Sequence, residues 1–120
     1  LLDLVYALSN LAFRLENASD AARMSETYQR LLDPRTEMGS TFQECLAYYA
    51  DQVGLRSSQI ASLRLLTWIQ HSIFEREEFV QEQDGRAPLE RHAESVCIAL
   101  WKTELEWQLR CMPEAGLPRA

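Results

Sequence analysis

LRSSQIASLRLLTWIQHSIFEREEFVQEQD, residues 55 to 84, runs its whole length without a glycine or a proline. Strands average about 5 or 6 residues, so an unbroken run of this length reads as helix. Its apolar residues Ile60, Leu63, Leu65, Leu66, Trp68, Ile69, Ile73 and Phe74 cover more than one stripe. A helix apolar on most of its sides is expected at the centre of a bundle. Apolar density drops at Glu75-Arg76-Glu77-Glu78, where the helix is expected to leave the core, and returns at Phe79 and Val80. Ser57 or Ser58 suits the start of this helix.

Working outward, Gly54 offers the left-handed cap that ends a preceding helix. That helix keeps Phe42, Cys45, Leu46, Tyr49 and Val53 to one face, and Thr36 or Ser40 can cap its start. Pro34 disfavours helical geometry at Asp33 and closes the run before it. In that first run Leu1, Leu4, Leu8, Leu11, Leu15, Ala18 and Ala22 recur in steps of three and four. The stripe then shifts by one position through Ala21, Met24, Tyr28 and Leu31. Because it survives the crossing, the run reads as one long helix; the alternative is a break at Asn17-Ala18-Ser19-Asp20, with Ser19 or Asp20 as the new cap.

Downstream, Asp84-Gly85 and Pro88 form a turn, and a last helix carries Ala93, Val96, Cys97, Ile98, Trp101, Leu105, Leu109 and Met112 before Pro113 stops it. The expected fold is an all-α antiparallel bundle of four or five helices, with long first, central and last helices. Residues 1–112 form one domain, and 113–120 a flexible tail.

At 120 residues and 47% hydrophobic, the chain can bury a core without staples. A net charge of -6, with no run of basic residues, argues against a general nucleic-acid or anionic-membrane binder. Cys45, Cys97 and Cys111 form neither a CxxC nor an even disulfide set, which suits a reducing compartment. The first residues carry Asp3 and no basic residue before Arg14, unlike a secretory signal. No apolar run approaches the roughly 18 residues of a membrane span. Cytoplasmic residence is the expectation.

Among chemistry-bearing residues, Arg64 and His71 stand seven apart, nearly two turns, and so share one helix face. This R-x6-H spacing resembles the motif of the HEPN superfamily of all-helical domains. The resemblance covers these two positions and the all-α class, and Leu65 departs from the polar residue usual there. It implies a metal-independent ribonuclease in which a homodimer joins two Arg–His pairs. A metal site is not expected: His71 with Glu75 supplies two ligands on one face, and His92 has no partner at ligand spacing. No cofactor is expected either, since four scattered glycines make no phosphate cradle.

Aromatic and apolar residues in excess of one stripe per helix point instead to association. Trp107 lies off the stripe that holds Trp101, and Tyr48 off the stripe that holds Tyr49. Aromatic side chains concentrate at interface cores. The face of Leu1, Leu4, Leu8 and Leu11 adds strong apolar surface at the start of the chain. The expected function is a protein-interaction or oligomerisation module, its partner another protein or a second copy, with Trp107, Tyr48 and Leu1 to Leu11 as candidate contacts. The ribonuclease is the alternative, and the only reading that brings in nucleic acid. A second alternative is a domain that binds a small apolar ligand, with Met24, Trp68 and Phe74 lining a cavity.

Overall fold

Asn17 breaks the first run. It takes a left-handed backbone, φ 55°, and the two amides that follow the helix end turn back on it: Asn17 N donates to Arg14 O at 3.2 Å and Ala18 N to Phe13 O at 2.8 Å. This is the Schellman arrangement, in which the helix's last carbonyls find donors, and its usual apolar contact is present in the buried pair Ala18 and Phe13. Asp20 then caps the next helix by accepting from Arg23 N at 2.8 Å. The expectation of one unbroken first helix is therefore corrected. Asn tolerates the left-handed region that most residues avoid, and the one-position shift of the stripe is the trace of the break.

The structure is a computed structural model that describes residues 2–82 and 95–111, the side chains of 76–82 excepted. Five helices make up the described residues: α1 Leu2–Leu15, α2 Ala21–Leu32, α3 Glu37–Val53, α4 Ser57–Glu82 and α5 Val96–Cys111. The chain is an all-α bundle, with five helices among the described residues. The turn expected at 84–88, His92, Leu1 and the tail 113–120 lie outside the described residues. No described helix is long and apolar enough to cross a membrane.

The joint between α2 and α3 is tight. Thr36 caps α3 by accepting from Gly39 N at 2.8 Å, and its hydroxyl lies 2.7 Å from Arg30 O and 2.9 Å from Asp33 O at the end of α2. Gly39 faces the same carbonyls so closely that a Cβ there would stand 1.9 Å from Asp33 O. Gly54, φ 80°, ends α3 in a second Schellman turn, with Leu55 N donating to Ala50 O at 2.8 Å. Ser95 opens α5, its hydroxyl accepting from Ile98 N at 3.3 Å.

Within the bundle α5 packs on α2 and α4, while α1 and α3 pack on each other and on α2 and α4. The core centres on Trp68 and Tyr28, whose rings meet edge to face at 5.4 Å, with Val5, Leu46 and Leu100 around them. Burying each such aliphatic chain contributes about 1.5–3 kcal/mol. α4 supplies the central Trp68, but its second apolar stripe is not covered. Its neighbours α1, α3 and α5 cover the faces holding Thr67 and Trp68, but Leu66, Ile69 and Ile73 are 48%, 38% and 53% exposed.

Candidate interaction face

Three contacts set the register of α4 against α5. Glu75 accepts from the Ser95 hydroxyl and lies 3.7 Å from Cys97 Sγ; Arg64 grips Glu104; and Gln108 Nε2 donates to Ala61 O at 3.0 Å. Residue numbers fall along α4 as they rise along α5, so the pair is antiparallel.

At 100° per residue, Leu66, Ile69 and Ile73 lie roughly 140–200° around α4 from the Arg64 direction. On α5, Ile98, Leu105 and Leu109 lie roughly 100–140° around from the Glu104 direction. Both stripes turn past the α4–α5 contact and away from α1, α2 and α3. Antiparallel helices wind in opposite senses when viewed from one end, so the α5 stripe lies on the flank of its helix and the α4 stripe on the back of its own, both outside the α4–α5 contact. Ile98 and Leu109 are 41% and 64% exposed. Leu65 and Leu105 are half-buried. No described residue of the α4 stripe is charged; on α5, Lys102 and Glu106 flank the stripe.

Glu104 is fully buried, yet every carboxylate oxygen is engaged. It accepts from Tyr28 Oη at 2.5 Å, from Arg64 Nε and Nη2 at 3.0–3.1 Å, and from Gln108 Nε2 at 2.7 Å. A buried charge is tolerable when paired and hydrogen-bonded in this way. Burial, and then the Glu104 charge, hold the Tyr28 hydroxyl well above its ordinary pKa. The network ties α2, α4 and α5 together at mid-core.

Arg64 and His71, paired by spacing, meet different surroundings. The Arg64 guanidinium is committed to Glu104, leaving its side chain 11% exposed. His71 stacks on Tyr6 with ring centroids 3.7 Å apart and meets the edge of Phe74 at 6.0 Å. Catalytic use of Arg64 would require the Glu104 pair to open. Among the described residues no group of three or more His, Cys, Asp and Glu could hold a metal ion.

The other candidate contacts are dispersed. Trp107 is half-buried against the core, with Arg110 over its ring at 5.4 Å, in a polar recess shared with Glu26, Arg30 and Asp33. Tyr48 is 70% exposed on α3. Leu4 and Leu8 pack against the core, while Leu11 is exposed. Trp68 is buried and Met24 packs on the core, while Phe74 is 50% exposed. A separate groove of about 570 Å³ opens between α1 and α3, with Leu8, Leu11 and Leu15 on one wall and Glu37, Thr41 and Cys45 on the other. Leu31 and Phe42 are at its floor.

The residues that sequence reasoning missed are those of the α4–α5 face. The second stripe on α4 was visible as surplus apolarity, but spacing alone does not say which of two stripes faces inward. No protein-family model matches the chain, and no curated protein or solved structure matches it either.

Proposed function

We propose that this chain is a homo-oligomerisation module in which two copies meet through the outer face of α4 and α5. The observation that carries the reading is the apolar surface left exposed by Leu66, Ile69 and Ile73 on α4 and by Ile98 and Leu109 on the neighbouring α5. Together these side chains expose on the order of 500 Å², near the upper end of the patches that monomer surfaces carry. A standard interface buries roughly 800 Å² per partner, so the patch supplies over half of one.

A second copy is the fitting occupant because a two-fold contact sets a patch against itself. An uncharged apolar stripe is complementary to its own image, whereas a charged one repels it. Two antiparallel pairs laid face to face form a four-helix layer whose ridges interlock as in other bundles. The chain's charge of -6 opposes association only weakly at physiological salt, where screening acts within about 8 Å.

The test is an isotope-filtered NOE experiment on a mixture of labelled and unlabelled chains. Methyl contacts between copies at Leu66, Ile69, Ile73, Ile98 and Leu109 are expected. Contacts between copies at Tyr48 or Leu11 instead, or none, would refute the reading.

A further inference from the structure

The groove between α1 and α3 is lined by none of the residues of the α4–α5 face. Its two walls differ in kind. Leu8, Leu11 and Leu15, spaced three and four apart, line the α1 side with methyl groups, and Leu11 and Leu15 are 54% and 71% exposed. Glu37, Thr41 and Cys45, spaced four apart, line the α3 side with a carboxylate, a hydroxyl and a thiol in a row. Among the described residues no basic side chain lines the groove, and Glu37 brings a carboxylate to it.

From these features we infer that the groove binds a small amphipathic organic cation: an apolar body against the α1 leucines, Leu31 and Phe42, and an ammonium group at Glu37, with the Thr41 hydroxyl beside it. Size favours a small molecule over a helix. The span from residue 37 to 45 is about 12 Å, roughly two helical turns, and a helix of ordinary length would overhang both ends. The volume of about 570 Å³ falls within the range of small-ligand sites, roughly 300–1,000 Å³. Apolar contact supplies the binding, and the carboxylate selects the sign of the guest's charge.

Three probes with one apolar body separate these contributions: 4-phenylbutylamine, 4-phenylbutanol and 4-phenylbutyrate, each titrated into the full chain and followed by amide chemical shifts. Saturable shifts are expected at residues of α1 and α3 around the groove. The amine should bind roughly two- to fivefold more tightly than the alcohol, the range an exposed ion pair provides, and the butyrate should bind weakest. Glu37→Gln should lower amine binding to the level of the alcohol and leave the alcohol unchanged. Thr41→Trp, at an exposed helical position, should fill the groove and abolish binding of all three; Leu11→Asp is the second variant should that one fail to fold. Equal binding of amine and butyrate, shifts centred elsewhere on the molecule, or undiminished binding in the groove-filling variant would overturn the inference.

Discussion

Arg64 and Glu104 form a bidentate ion pair across the α4–α5 contact, with Nε 3.0 and 3.1 Å from the two carboxylate oxygens and Nη2 at 3.1 Å from one of them. The carboxylate also accepts from Tyr28 and Gln108, so its removal would strand a guanidinium, a phenol and an amide at once. Glu104→Ala is expected to destabilise the fold by about 3–5 kcal/mol, the usual cost of orphaning a buried charge. The double change Arg64→Met with Glu104→Leu should cost much less, because it removes both charges and retains volume. Urea unfolding of the three chains measures both values; equal losses in the single and double variants would contradict the pairing.

Gly39 reverses a familiar sign. Gly→Ala within a helix ordinarily stabilises by up to about 1 kcal/mol. Here the new Cβ would overlap Asp33 O and Arg30 O, both backbone atoms that cannot swing aside. Gly39→Ala should therefore destabilise by about 1–3 kcal/mol, as overpacking does, and urea midpoints will show a fall where helix propensity alone calls for a rise.

Asn17 offers the opposite test of the same physics. Its left-handed backbone is needed to join α1 to α2. Asn17→Gly should leave stability unchanged or slightly raised, and Asn17→Ala should lower it by about 1 kcal/mol. Thermal unfolding of the pair distinguishes this from a role for the side-chain amide, in which both changes would destabilise alike.

Alkaline pH should weaken the fold in two stages. Burial, and after it the nearby Glu75 carboxylate, push the Cys97 thiol from 9.0 up to about 12. Below pH 9 the thiol is protonated whether folded or unfolded, and its contribution to stability is fully present. Between pH 9 and about 12 the unfolded chain releases the proton first, so stability falls with rising pH. Tyr28, raised from 10.0, adds a loss that begins near pH 10. Cys97→Ala should flatten the first stage, as measured by urea midpoints at stepwise pH.

Much of this architecture was legible because its signals are local. Gly54 announces a left-handed cap, Pro34 a helix end, and Thr36 and Asp20 the starts that follow, each through the chemistry of a single residue. Asn17 was harder to read, since asparagine takes the left-handed region less often than glycine and the apolar stripe ran on past it. Arg64 and His71 share a face by spacing, but only folding showed that the nearest partner of Arg64 is Glu104, forty positions away. The α4–α5 face was obscured for a similar reason: Leu66, Ile69 and Ile73 read as core until their neighbours were known.

Sedimentation equilibrium across a wide range of concentration decides whether copies of the chain associate through α4 and α5. The unmodified chain is predicted to sediment at twice its 13.9 kDa. Ile69→Glu, with an unchanged helical circular-dichroism spectrum, should sediment as a single 13.9 kDa species, because an uncompensated carboxylate at the centre of an apolar contact opposes its own image. An unmodified chain that remains a 13.9 kDa monomer at the highest attainable concentration, or an Ile69→Glu chain that dimerises equally well, would contradict it.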